Sequence, residues 1–220
     1  MIAEQELLTQ LLQSPRLPFF VQDFSSRLAS EAQQRSLFYA QVQEDEKAEF
    51  INGEIIMHSP VRLPHNAATG NIFRLLSTYV LTHQLGYVGH EKIMVALTRN
   101  DYEPDVCFFN EAKAAMFTPD QVLFPAPDLV VEVLSDSTAA NDRGVKFEDY
   151  AAHGVVEYWI VDSVAEVVEQ YLLEGDSYIL SIKAKSGELS SLALPGFVIP
   201  IRAIFDQALH RRTLQALLAD

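Results

Sequence analysis

Two carboxylates of this chain lie next to or within strongly apolar stretches. Asp105 directly precedes the apolar run 106–109, and Glu132 lies inside the apolar run 129–134. An ionised carboxylate that leaves water without a partner is strongly disfavoured, so each acid needs a cation, a metal ion or a shared proton. Lys146, on the helix expected after the second stretch, is a candidate partner.

A pair of carboxylates on neighbouring strands suits a hard divalent cation. Mg²⁺ prefers oxygen ligands in octahedral geometry and keeps several waters, which leaves room for a phosphate and an attacking water. We therefore predict that Asp105 and Glu132 bind Mg²⁺ or Mn²⁺. The alternative is that both face solvent from edge strands. Cys107 is the single cysteine and the histidines lack zinc-ligand spacing, so a multi-cysteine or His-Glu-x-x-His zinc site is excluded.

The order of apolar patterns indicates an α/β (α+β) fold. A helix is predicted from 66 to 83, a second helix from 138 to 153, and strands at 87–97, 103–109, 128–134, 156–162, 166–173 and 177–183. Asn52-Gly53 indicates a tight hairpin turn. The helix between 128–134 and 156–162 predicts a right-handed crossover, with these two strands parallel and adjacent.

Size and composition favour one globular domain, residues 1–220. Its parts are a helical N-terminal extension (1–46), a core (49–162), and C-terminal strands with a helix (163–220). The content of 49% hydrophobic residues is ample for a buried core. No run is long enough to span a membrane, and the single cysteine is consistent with a reducing compartment, so we expect a cytoplasmic protein without membrane contact.

An ordered series of motifs from about Glu49 to Asp162 resembles the PD-(D/E)XK nuclease superfamily, and more closely the Uma2-like family of restriction endonucleases. The series comprises Asn52-Gly53-Glu54, Pro104-Asp105, Pro127-Asp128 through Glu132 to Ser135, Asp142-Arg143-Gly144-Val145-Lys146, and Glu157 through Trp159 to Asp162. The resemblance implies a restriction-endonuclease-like mixed β-sheet flanked by helices, here with an N-terminal helical cap and extra C-terminal strands. It also implies a DNA substrate and Mg²⁺-dependent phosphodiester hydrolysis.

The resemblance further implies which side chains are catalytic. The superfamily usually carries a lysine two residues after the second acid, where this chain has Leu134, so Lys146 is the candidate replacement for activating water or stabilising charge. Glu54 matches a recurring family glutamate and is the candidate additional acid. For Lys146 the alternative is an ordinary surface lysine paired with Asp142 or Asp149. For Glu54 the alternative is a solvated glutamate of the hairpin.

The net charge of −14 is the main observation against a nucleic-acid enzyme, because DNA-binding proteins normally cluster Lys and Arg. Three hypotheses follow. The first is a metal-dependent DNA endonuclease, acting as a homodimer because duplex cutting uses two active sites. The second is a nuclease fold that no longer cuts and serves as a binding or regulatory module. The third is a metal-dependent hydrolase of a small phosphate ester.

Overall fold

The computed structural model describes residues 2–43 and 46–219. Within these residues the helices are α1 (Ile2–Gln13), α2 (Leu17–Gln41), α3 (Leu63–His83), α4 (Glu111–Ala114), α5 (Ala139–Asp142), α6 (Val145–Ala152) and α7 (Gln207–Leu217), with a 3-10 turn at Ile201–Ile204. The strands are β1 (Ala48–Ile51), β2 (Glu54–Met57), β3 (Gly86–His90), β4 (Met94–Ala96), β5 (Asp101–Tyr102), β6 (Val106–Asn110), β7 (Leu123–Phe124), β8 (Leu129–Val133), β9 (Glu157–Asp162), β10 (Val167–Glu174), β11 (Ser177–Ala184), β12 (Glu188–Ser190) and β13 (Val198–Pro200).

The central sheet has six strands in the order β11-β10-β9-β8-β6-β3. Strands β8 and β9 are parallel and adjacent, as predicted from the helical crossover between them, and the other pairs are antiparallel. A mixed sheet flanked by helices is therefore the observed architecture, which confirms the predicted fold class.

The two faces of the central sheet carry different environments, because successive side chains of a strand point to opposite faces. In β8, Val131 and Val133 belong to the apolar cluster that includes α3 and the C-terminal segment, while Val130 belongs to a second cluster that includes α6. Glu132 shares strand parity with Val130. The acid thus points to the α6 face of the sheet.

A second sheet, in the order β2-β1-β5-β4-β7, covers part of that face. Strands β1 and β2 form the predicted hairpin, with Ile51 paired to Glu54 and both turn residues at positive φ, 52° for Asn52 and 88° for Gly53. This two-residue turn with Asn-Gly is the type whose twist matches that of the strands. The hairpin places Glu49 of β1 beside α6.

Three predicted elements are interrupted. The helix expected over 138–153 is two helices, α5 and α6, because the chain leaves helical geometry at Gly144 (φ −117°, ψ −105°). The strand expected over 87–97 is split between two sheets at Glu91, whose φ is 50°. The strand expected over 103–109 is formed only from Val106 onwards, as β6, because residues 103–105 lie outside any strand and separate it from β5. Apolar periodicity does not register such breaks, because the pattern continues through them.

The N-terminal helices are attached to this core by α2. The Arg35 guanidinium binds Asp101 with Nε to Oδ2 at 2.6 Å and Nη2 to Oδ1 at 2.5 Å, and Tyr39 donates to the same carboxylate at 2.7 Å. Nearer the N-terminus the helices expose large apolar side chains: Leu7, Leu8, Leu12, Phe19, Val21, Phe24 and Leu28. Among the described residues no helix is long and apolar enough to cross a bilayer.

Gly86, at the start of β3, provides a test of this packing. Its φ is 139°, and a Cβ there would lie 2.1 Å from the Phe109 carbonyl oxygen of the paired strand. We expect Gly86→Ala to lower the free energy of unfolding by at least about 3 kcal/mol, because backbone must move to relieve the overlap.

Gly175→Ala is the matched control. Gly175 also has positive φ, 66°, but has open space around the added atom. It should cost about 1 to 2 kcal/mol. Urea denaturation of both variants measures the difference, and equal losses would contradict the close β3–β6 contact.

Candidate active site

Asp105 and Glu132 lie side by side on neighbouring strands. The antiparallel register pairs Val106 with Val131, and one step further this register places Asp105 opposite Glu132. The Val133 amide donates to Asp105 Oδ2 at 2.8 Å, which fixes the carboxylate against β8. Both side chains are buried. The structure therefore brings together the two acids that the sequence predicts as metal ligands.

Asp105 has two further partners. Lys47 Nζ lies 3.1 Å from Oδ1, and His65 Nε2 lies 3.3 Å from Oδ2. Burial alone would raise the pKa of Asp105, but the His65 hydrogen bond and the Lys47 charge outweigh it and hold that pKa below its usual range. Asp105 is thus an ionised carboxylate in a desolvated place.

Lys146 lies at the centre of three carboxylates. Its Nζ is 2.8 Å from Glu49 Oε1, 3.1 Å from Glu132 Oε1 and 3.1 Å from Asp142 Oδ1, and its side chain is 1% exposed. Burial would lower the pKa of Lys146, yet the three carboxylates raise it well above its usual value. The ammonium is therefore a permanent buried charge, not the surface lysine of the alternative interpretation.

The three acids around Lys146 are not equivalent. Burial raises the pKa of Glu132 well above its usual range, and burial also raises the pKa of Asp142, in both cases against the opposing effect of the ammonium. For Glu49 the balance is reversed: burial is outweighed by Lys146 and His58, and the pKa falls to about 2. This group holds more acid than one lysine can neutralise.

A cavity of about 330 Å³ opens onto this group. Its wall includes Asp105, Glu132, Lys146, Lys47 and His65, and also residues of the loops 58–61 and 135–138. A cavity of this size accommodates a phosphate group with its waters. The acids are therefore accessible from one side although each is nearly buried.

The donor atoms fit a hard divalent cation. Within residues 2–43 and 46–219, no three His, Cys, Asp or Glu side chains form a complete protein cage for a metal ion. Mg²⁺ and Mn²⁺ do not need such a cage, because one or two carboxylates with waters and substrate oxygens commonly suffice. Asp105 and Glu132 supply that pair, at a cavity with space for water.

Glu54 is not brought to this group. It is exposed at the turn end of the β1–β2 hairpin, and the acid from this hairpin that reaches Lys146 is Glu49, on β1. Leu134, at the superfamily's usual lysine position, is partly buried among apolar side chains. Arg143 binds the Glu169 carboxylate through Nη1 at 2.7 Å and Nη2 at 2.9 Å. This ion pair occupies the two guanidinium nitrogens that could otherwise bind a phosphate.

Sequence reasoning missed Lys47 and Glu49. The signal for Glu49 was present, because it lies within the run 48–51, which is buried throughout, as Asp105 and Glu132 lie in theirs. No comparable signal marks Lys47, an isolated lysine before a strand. His65 lies in the first turn of α3, with its side chain directed at Asp105.

The sequence also matches the model of a known protein family. Residues 33–202 match the family described as "Uma2: Putative restriction endonuclease". The chain belongs to the Uma2 family. The matched segment contains all the acids and lysines of the group around Lys146 and begins within α2, so that α1 and most of α2 precede it.

Two curated proteins and one solved structure are similar to this chain. The chain is 34% identical over 137 residues to the protein sll1609 of Synechocystis sp.. The aligned segment covers 61% of this chain and 76% of that protein. It is 33% identical over 161 residues to slr1290 of the same organism, covering 68% and 80%. A crystal structure described as a putative nuclease belonging to DUF820 from Anabaena variabilis superposes with a TM-score of 0.66 at 16% identity, covering 76% of this chain and 94% of that one. At that identity the likeness shows the fold alone.

The buried position of Lys146 predicts a large effect on stability. Lys146→Met removes the cation from three buried carboxylates, and we expect a loss of about 3 to 5 kcal/mol in the free energy of unfolding. Lys183→Met is the matched control, because Lys183 also pairs with a carboxylate, Glu169 at 3.0 Å, but is 60% exposed. It should cost under about 1 kcal/mol.

Urea denaturation at neutral pH measures both variants. Similar small losses for the two would show that the carboxylates around Lys146 do not depend on its charge.

Proposed function

We propose that this protein is a Mg²⁺- or Mn²⁺-dependent endonuclease that hydrolyses phosphodiester bonds in DNA. The observation that supports it is the placement of Asp105 and Glu132 opposite each other at the wall of one cavity, beside two lysines. Family membership supports the nuclease class, and the carboxylate pair supports the choice of metal.

In this proposal Asp105 and Glu132 hold the divalent ion. When bound, the ion would polarise the phosphate and lower the pKa of a coordinated water. Residues of the chain position these two carboxylates before the ion binds. The Val133 amide and His65 orient Asp105, and the burial of both acids strengthens the interactions of each charge.

Lys146 is proposed as the charge-stabilising group of the site. Its ammonium favours the ionised form of Glu132 and holds Glu49 and Asp142 in the same cluster. Although Lys146 lines the cavity, its ammonium is paired with three carboxylates, which disfavours direct activation of water by this group. We therefore propose that it acts on catalysis through the carboxylates.

A second candidate function is hydrolysis of a small phosphate ester. The observations that favour it are the net charge of −14 and the size of the cavity. A duplex is a long polyanion that an acidic surface repels, whereas a small ester needs only the local charges of the site. The remaining hypothesis, a nuclease fold that no longer cuts and serves as a binding or regulatory module, predicts no turnover of either substrate.

Two substitutions test the metal site. We expect Asp105→Asn and Glu132→Gln to abolish Mn²⁺ binding in a calorimetric titration and to abolish plasmid nicking, since each removes a charged oxygen ligand of similar shape. Asp128→Asn is the control, because Asp128 is also a carboxylate next to β8 but pairs with Lys113 at 3.0 Å outside the cavity.

The choice of substrate decides between the functions. Cleavage of plasmid DNA supports the endonuclease, and turnover of p-nitrophenyl phosphate without nicking supports the ester hydrolase. Unchanged Mn²⁺ affinity in both site variants would contradict the metal site.

We further propose that the protein works as a homodimer that pairs through α1 and the first half of α2. Seven large apolar side chains there, from Leu7 to Leu28, are each more than half exposed. Grouped exposed apolar side chains are typical of interaction surfaces. Two copies would supply the two active sites that cutting both strands requires.

Light scattering after size-exclusion chromatography tests this pairing. We expect the unsubstituted chain to have twice the monomer mass of 24.7 kDa, and Phe24→Ser with Leu28→Ser to have the monomer mass, because the double variant interrupts the apolar surface. Leu63→Ser with Leu81→Ser, on the exposed part of α3, is the control and should remain dimeric. A monomeric unsubstituted chain would contradict the proposal.

A further inference from the structure

Two lysines approach the acid pair, and they differ in access to the cavity. The side chain of Lys146 is 1% exposed and lies among three carboxylates. The side chain of Lys47 is 25% exposed, lines the cavity, and has its Nζ 3.1 Å from Asp105 Oδ1. Both residues line the cavity, but Lys47 is the more exposed of the two and has one carboxylate partner instead of three, so its ammonium is the freer to contact a ligand that enters.

The two oxygens of Asp105 have different partners. Oδ2 accepts the Val133 amide at 2.8 Å and faces His65 at 3.3 Å, so it is fixed by a strand and a helix. Oδ1 accepts from Lys47 Nζ, which is carried on a flexible stem. A cation that binds at Oδ1 must therefore share this oxygen with the Lys47 ammonium or displace it.

The backbone at Lys47 is fixed while its side chain can move. The His58 amide donates to the Lys47 carbonyl at 3.0 Å, and the next residue, Ala48, donates its amide to Glu103 Oε2 at 3.0 Å. These bonds set the origin of the side chain at the cavity wall. Four rotatable methylene groups then allow the ammonium to move from Asp105 to a nearby anion.

We propose that Lys47 is the substrate-facing lysine of the site. In the metal-free protein it neutralises Asp105 Oδ1, and with a divalent ion at that oxygen its ammonium binds a phosphate oxygen of the substrate. The inference rests on the proposed metal-dependent hydrolysis and adds the residue that contacts the phosphate. A lysine ammonium suits this role because it is a compact point charge with three donors.

The proposal makes opposite predictions for metal binding and for turnover. In Lys47→Met the ion no longer competes with an ammonium, so Mn²⁺ affinity measured by calorimetry should rise, by about fivefold for an ion pair of ordinary strength. The rate of plasmid nicking at saturating Mn²⁺ should fall by about 100- to 1000-fold, because a charge-stabilising contact is lost. A lysine that only paired with Asp105 would also raise Mn²⁺ affinity when removed, but its removal would leave the nicking rate unchanged.

Lys113→Met is the matched control. Lys113 is 28% exposed and pairs with an aspartate, Asp128 at 3.0 Å, but lies outside the cavity. Both its Mn²⁺ affinity and its nicking rate should equal those of the unsubstituted protein. Circular dichroism and urea denaturation of Lys47→Met establish that the variant is folded before the two readouts are compared.

The outcomes separate this inference from the proposed function. If the unsubstituted protein neither binds Mn²⁺ nor cleaves a phosphodiester, the proposed function is overturned and the role of Lys47 with it. If it does both, but Lys47→Met binds Mn²⁺ no more tightly or keeps its rate, the role of Lys47 alone is overturned. Tighter Mn²⁺ binding together with slower nicking supports the proposal.

Discussion

The burial of Lys146 among three carboxylates is the interaction on which the site depends. The three acids come from separate elements: Glu49 from β1, Glu132 from β8 and Asp142 from α5, and the lysine itself comes from α6. Breaking such a buried cluster would leave uncompensated charge, which is far more costly than losing a surface ion pair. The ammonium thereby holds the hairpin of the second sheet against the central sheet, and the cavity lies where these parts meet.

The same cluster leaves an excess of acid on the cavity side. Lys146 is shared among its neighbours, and the pKa of Glu132 is raised by burial, so this carboxyl is poorly compensated in the metal-free protein. Asp105, one strand away, takes its compensation from Lys47 and His65 instead. An added divalent cation would relieve both acids. This imbalance connects the energetics of the fold with the proposed metal chemistry.

The protein is acidic as a whole, but the proposed site places a lysine and a histidine beside its acids. Lys47 and His65 lie with the acid pair, whereas Arg35, Arg99 and Arg143 are paired with Asp101, Glu31 and Glu169 in roles that hold elements together. Binding of a phosphate would thus rely on few contacts. The N-terminal helices, which precede the segment matched by the Uma2 family, add an apolar surface of a different character.

The sequence alone determined β8, β9, the crossover between them and the family, because these follow from patterns along the chain. Apolar runs marked β8 and β9, the intervening helical segment made them parallel, and Asn52-Gly53 set the hairpin. Asp105 and Glu132 were identified because a charged residue next to or within an apolar stretch can be recognised from the sequence. The partners of those charges were decided only by the tertiary structure. Glu49 rather than Glu54 reaches Lys146 because of the hairpin register, and Lys47 meets Asp105 although 58 positions separate them. The packing of the two sheets also decides three further features, which no local pattern encodes. They are the break at Gly144, the turn at Glu91 and the burial of Lys146.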